Sequence, residues 1–177
     1  ELAVQAVDNF QDTFWNEDLG CLYDCVRDDE PDASIRPNQV FAVSLAHSPL
    51  PADRQASVLN AVREHLLTPY GLRSLAPGDP RYNGVYGGVR PVRDRAYHNG
   101  TVWAWLMGPY VEAHLRVHGF STAARAETRR LLQPLVSHMA EAGLGSISEI
   151  FDGDPPHAPR GCIAQAWSVA EVLRAWD

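Results

Sequence analysis

Residues 99–118, NGTVWAWLMGPYVEAHLRVH, decide the fold. Val102, Trp103, Trp105, Leu106, Met107 and Val111 fall on several sides of a 3.6-residue period, so the stretch reads as a helix buried between neighbours. Pro109 predicts a kink in it.

Working outward, the N-terminal side gives three more helices. Residues 1–18 carry Val4, Val7, Phe10 and Phe14 at helical spacing until Gly20 and the acidic run Asp28, Asp29, Glu30, Pro31 break the pattern. Val40 to Leu45 form a short second helix with Pro37 in its first turn, and Leu59, Val62 and Leu66 a third that begins at Pro51, Ala52 and Asp53. On the C-terminal side, Ser121 caps a helix carrying Leu131, Leu132, Leu135 and Met139, bent at Pro134, and Ile163, Trp167, Ala170 and Leu173 mark a sixth. No alternating pattern is long enough for a sheet, and the reading is therefore all-α. Gly100 and Gly161 each precede an Ala-Trp pair, Ala104-Trp105 and Ala166-Trp167, a faint echo of repeated helical hairpins. The long loops 19–36, 67–99 and 143–161 alternate with short ones and are expected at one end of the array, where a site is sought. Residues 67–99 show no helical period, and Tyr70, Tyr82, Tyr86 and Tyr97 fall within them.

Composition narrows the chemistry. The chain has 177 residues, 45% hydrophobic and 21% charged, with 15 basic against 22 acidic side chains, a net charge of −7. That is one globular domain without an apolar run long enough to span a membrane, and its acidity disfavours nucleic acid. All the basic residues are Arg, so Schiff-base chemistry, pyridoxal-phosphate attachment and a phosphate-gripping lysine are excluded. Cys21, Cys25 and Cys162 suit neither a disulfide framework nor a zinc finger, which points to a reducing, cytoplasmic setting. The chain opens at Glu1 directly in amphipathic sequence and reads as part of something longer.

Four motifs can carry function. In GSISEIFDGD, residues 145–154, Glu149, Asp152 and Asp154 raise one another's pKa if they face each other, which suits acid/base chemistry; a solvated acidic turn, or a cation site using the two Asp, is as good a reading. In YHNGTVWAWLMGPY, residues 97–110, His98, Asn99 and the Gly100 amide lie beside flat indole faces, the combination of polar groups and apolar planes that a sugar needs. There Asn99 can equally be a plain cap, and Trp105 reads better as core. In SIRPNQVFAVSL, residues 34–45, Arg36, Asn38 and Gln39 must be satisfied by each other or by ligand hydroxyls. Tyr70, Arg73 and Asp79 suit a lid or one wall of a pocket. His114 and His118 are i,i+4, but Leu115 stands where a metalloprotease motif has Glu, so they read as surface histidines; Cys21 and Cys25 lack a partner base.

The motifs SIRPNQVFAVSL, TPYGLRSL, YHNGTVWAWLMGPY and SISEIFDGDPPHAPRGCIAQAWSVAEVLRAW occur in the order and spacing of the C-terminal glucosidase domain of glycogen debranching enzymes, and nearly the whole chain resembles that amylo-α-1,6-glucosidase family. The resemblance implies an (α/α)6 toroid of the glucoamylase-like type, with residues 1–177 its C-terminal half and the N-terminal part absent. It implies hydrolysis of α-1,6-linked glucosyl stubs with inversion, by an Asp acid and a Glu base. The base position corresponds to Glu149; no residue here matches the motif of the acid. Arg36, Asn38, Gln39, Tyr97, His98, Asn99, Trp103, Gln165 and Trp167 occupy motif positions expected near the glucose pocket. Another (α/α)6 glycosidase, acting on trehalose or an oligosaccharide, and a non-catalytic carbohydrate-binding piece are the alternatives. The implied partner is an α-glucan, glycogen or limit dextrin, with no cofactor, metal, nucleic acid or membrane. Half a ring leaves apolar flanks bare, so the piece is expected to be marginal alone, or to pair with its missing half or another copy.

Overall fold

The computed structural model describes residues 1–176. The longer helices are α1 (Leu2–Phe14), α3 (Ala52–His65), α5 (Met107–Val117), α6 (Thr122–Glu141) and α7 (Ala166–Trp176), with two shorter ones, α2 (Phe41–Ser44) and α4 (Arg90–Tyr97). Helix α5 is the hub. It packs against α2, α3, α6 and α7, and buries Met107, Tyr110, Val111, Ala113 and Leu115. Val58 and Val62 of α3 and Leu132 and Leu135 of α6 close round it. Each such aliphatic side chain contributes about 1.5–3 kcal/mol when fully buried.

The central stretch begins differently from the sequence reading. Gly100 lies in a turn, Val102–Trp103 is extended, Ala104–Leu106 is a 3₁₀ turn, and α-helix starts only at Met107. Pro109 therefore sits in the first turn of α5, where an N–H has no helical acceptor to lose, and no kink is imposed. Pro134 does lie inside α6, whose N-cap is Ser121, its side chain accepting from the Ala124 amide at 3.3 Å.

A second difference is the presence of sheet. Strands β1 (Trp15–Asn16) and β2 (Cys21–Leu22) pair, as do β3 (Cys25–Arg27) and β4 (Glu30–Asp32). Strands β5 (Leu67–Thr68), β6 (Gly71–Arg73), β7 (Val102–Trp103), β8 (Ile150–Phe151) and β9 (Pro159–Arg160) form an antiparallel ribbon in chain order. The register sets Leu72 opposite Trp103 and Trp103 opposite Ile150. Two-residue strands are too short to write an alternating pattern, and they pair because the helices bring their ends together. At Gly71, with φ +148°, a side chain would run into the Trp103 carbonyl, so the β5–β6 turn needs glycine to lie this close to β7. The segment 67–99 is thus ordered, holding β5, β6 and α4. The sequence RPVRDRAY of α4 is short and mostly charged, with Val92 and Ala96 marking its inward face one turn apart.

Apolar side chains are left outward at both ends of the chain. Helix α1 buries no residue, and Leu2 and Val4 are exposed; on α7, Leu173 and Trp176 are exposed too. Among the described residues, no helix is long and apolar enough to cross a membrane.

Candidate active site

The ribbon carries Glu149 on the residue before β8, and its backbone is fixed on every side. The Glu149 amide donates to the Cys162 carbonyl at 2.9 Å. One residue earlier, the Ser148 amide donates to His138 Nε2 of α6 at 3.2 Å, and the Ser148 carbonyl accepts from Ser168 Oγ of α7 at 3.2 Å. Ile147 accepts from the Gln165 amide. His138 is buried, which pushes its imidazole pKa down, and the Ser148 amide makes Nε2 the unprotonated nitrogen. Glu149 is thereby seated on rigid elements.

Its carboxylate is half-buried and held by two donors. Tyr97 Oη donates to Oε1, and the Cys162 amide donates to Oε2 at 2.8 Å. Gly161, at φ +67°, lets β9 pass close, because a Cβ there would overlap the carboxylate and come within 3.2 Å of Glu149 Cβ. The two neighbouring acids have other duties. Asp152 is buried and binds Arg160 at 2.8 and 3.0 Å and the Tyr86 amide at 2.8 Å, while Asp154 accepts from Tyr82 Oη at 2.9 Å. The three carboxylates do not share a site.

Beside Tyr97 lies an aromatic wall. Trp103 stacks on His98 with ring centroids 5.3 Å apart and planes 2° from parallel, and Tyr97 meets Trp103 edge-on at 4.9 Å. Trp105 stacks on Trp167 at 4.0 Å, so the two Ala-Trp echoes of the sequence meet face to face. Trp103, Trp105, Trp167 and His98 line one cavity of about 1230 Å³, with Asp24, Arg36, Asn38, Ser74, Asp32 and Arg81 on the polar side. Two of the three long loops, 19–36 and 67–99, supply wall residues, while 143–161 places Glu149 nearby through the β7–β8 pairing. Glu149 itself is not in the cavity lining; it is joined to the wall through Tyr97, which meets Trp103 edge-on.

The site residues expected from sequence divide into groups. His98, Trp103 and Trp167 face the cavity, as do Arg36 and Asn38. Yet Arg36 is nearly saturated: its NH1 donates to the carbonyls of Ser74 and His98 at 3.1 and 2.6 Å, its NH2 to Asn99 Oδ1 at 2.9 Å, and its Nε lies 3.6 Å from Asp24. It clips loop 67–99 to Asp24, in the connection between β2 and β3. Asn99 is spent on Arg36 and on the Arg95 carbonyl. Gln39 is buried, with its side chain between the Leu22 amide and the Arg36 carbonyl, which satisfies it internally. Gln165 is half-buried ahead of α7, outside the cavity lining. Of the lid candidates, Tyr70 stacks on Phe151 at 4.6 Å, Arg73 binds the Gly153 carbonyl and Asp79 pairs with Arg81, so they pin the loop.

Three residues add to or depart from the sequence reading. Trp105 packs on the core as expected, but from a half-buried position that also puts it on the cavity wall. His114 is 1% exposed and stacked on His118 at 4.2 Å, because α5 is surrounded on all sides; it is not a surface residue. Asp24, between Cys21 and Cys25, accepts from Asn38 Nδ2 at 2.8 Å at the cavity edge, and only its nearness to the SIRPNQ segment in sequence could have singled it out. Asp32 on the same side is held down to about 2 by the Ser34 hydroxyl and amide and by Arg81.

Comparison with known proteins agrees with the resemblance. The sequence profile of the family described as Amylo-alpha-1,6-glucosidase matches residues 1–174. The chain is 26% identical over 162 residues to the glycogen debranching enzyme of Saccharomyces cerevisiae, covering 80% of this chain and 10% of that protein. In structure it is similar to the neutral trehalase Nth1 of Saccharomyces cerevisiae, with a TM-score of 0.69 at 14% identity, over 98% of this chain and 29% of the trehalase. The helix-rich architecture is therefore one that a trehalase also has, and the chain spans a small part of each relative.

Proposed function

The chain belongs to the amylo-α-1,6-glucosidase family, and from that premise we propose that it supplies the base and much of the glucose pocket of a glycogen-debranching-type α-1,6-glucosidase. One observation carries the reading: a half-buried Glu149, held by two neutral donors on a rigid strand, stands next to a cavity walled by His98 and three tryptophans. Stacked indoles take the apolar faces of a glucosyl unit, and Asn38 and Asp24 offer hydrogen bonds to its hydroxyls.

Inversion requires an ionised carboxylate that activates water on the face of the sugar opposite the leaving oxygen, and a protonated one about 6.5–9.5 Å away that protonates that oxygen. Glu149 fills the first role in this reading. The acid belongs to the full-length protein outside residues 1–177, and this chain is the C-terminal half of an (α/α)6 toroid acting on an α-glucan in the cytoplasm. The trehalase likeness over 98% of the chain fits that architecture, and it also keeps trehalose in view as a substrate.

The test is hydrolysis by the full-length protein, followed by proton NMR of the first glucose released. Branched limit dextrin should yield β-glucose, the inverted anomer. Cleavage of trehalose alone would point to another glycosidase of this fold, and binding without cleavage of either would reduce the protein to a carbohydrate-binding one.

A further inference from the structure

We propose that Tyr97 is a positioning residue for Glu149 and not a sugar-binding residue: its phenol and the Cys162 amide each take one carboxylate oxygen and fix the plane of the base. The inference rests on Glu149 being the base. A free Glu side chain turns about three bonds, and water is activated well only from a narrow range of orientations, so freezing the carboxylate removes a barrier otherwise met at each turnover. Each oxygen keeps a lone pair after accepting one hydrogen bond, which leaves the carboxylate able to receive a water proton.

The surroundings of Tyr97 fit this duty. It ends α4, and its carbonyl is tied twice, by Thr101 Oγ1 at 2.7 Å and Trp103 Nε1 at 3.2 Å. Its ring wedges edge-on against the stacked pair Trp103, at 4.9 Å, and His98, at 4.8 Å, with Tyr86 at 5.8 Å. The hydroxyl therefore has one place to point. It is absent from the cavity lining, although its two aromatic neighbours His98 and Trp103 are in it. Burial, then the bond to Glu149, push the phenol above its ordinary range, so it stays protonated and remains a donor at working pH.

The experiment compares wild type, Tyr97→Phe and Glu149→Gln in the full-length protein on branched limit dextrin. Competent sites are counted by calorimetric titration with deoxynojirimycin, a glucose-shaped cation, so that misfolded molecules are excluded. Phe keeps the wedge and deletes only the donor. The expected result is a kcat per competent site lowered roughly 10- to 100-fold, the worth of one hydrogen bond to a charged group, with KM changed less than about twofold. A kcat within about twofold of wild type, or a loss confined to KM, overturns the proposal, because a sugar contact or a mere packing role would behave so. If Glu149→Gln turns over normally, the reading of Glu149 has failed instead; if Glu149→Gln is dead and Tyr97→Phe is normal, only the role of Tyr97 has.

Discussion

Glu149, Asp152 and Asp154 lie within six residues of chain, yet each meets a different environment. Asp152 is 6% exposed and saturated by Arg160 and the Tyr86 amide; Asp154 is exposed and takes the Tyr82 hydroxyl; Glu149 is half-buried and held by one donor on each oxygen. Asp152→Asn should therefore cost stability, about 1.5–3 kcal/mol from weakened charged hydrogen bonds, read as a lower urea midpoint at unchanged slope. An unchanged midpoint would mean that the Arg160 pair holds nothing. At this scale the sequence yields the chemistry of a motif but not its partners. Glu149 was legible because its family motif is specific, whereas Gln39 bonds the distant Leu22 amide and Asn99 the distant Arg36 guanidinium, and Asp24 gains its place only when loop 19–36 brings it to Arg36.

Elements show the same limit in another form. Helices α3, α6 and α7 follow their apolar period because each has one face to bury, while α1 packs only the half-buried Phe10 and Phe14 on the core. Helix α4 has an apolar face of only Val92, Ala96 and Tyr97, and the five-stranded ribbon is made of fragments with no local signature; both lean on tertiary contact. The ribbon nevertheless couples the site, since β7 and β8 join Trp103 to the chain beside Glu149. Gly71→Ala tests that coupling. Its φ of +148° and the overlap with the Trp103 carbonyl should cost roughly 2 kcal/mol or more, seen as a lower urea midpoint. Near-UV circular dichroism of the tryptophans should change with it; a neutral effect on both would show that the ribbon is not a strained, shared unit.

For the whole molecule, two behaviours follow from what is buried and what is bare. His114 and His138 are buried, and desolvation holds both imidazoles below the ordinary value of 6.5, so the fold keeps them neutral while the unfolded chain protonates. Native stability should be insensitive to these groups above that value and should fall as pH drops below it. The melting temperature is expected to decline from pH 7 to pH 5, and a flat profile would contradict the assignment. Asp32 and Asp79, held low by their hydrogen-bonding partners Ser34 and Arg81, lose their contribution only in a more acid range. The bare faces of α1 and α7 predict that residues 1–177 alone self-associate, since Leu2 is 82% and Leu173 63% exposed. Light scattering on a sizing column should show species larger than the monomer, which Leu2→Glu with Leu173→Glu should dissolve; a clean monomer in the unsubstituted chain would remove this point.

The central claim is that the Glu149 carboxylate deprotonates the attacking water. It is tested most directly by the turnover of Glu149→Ala in the full-length protein on branched limit dextrin, with and without sodium azide. Removing a general base should lower kcat about 10²- to 10⁴-fold, and azide, which needs no base, should restore turnover and yield β-glucosyl azide. Turnover near wild type without azide would contradict the account.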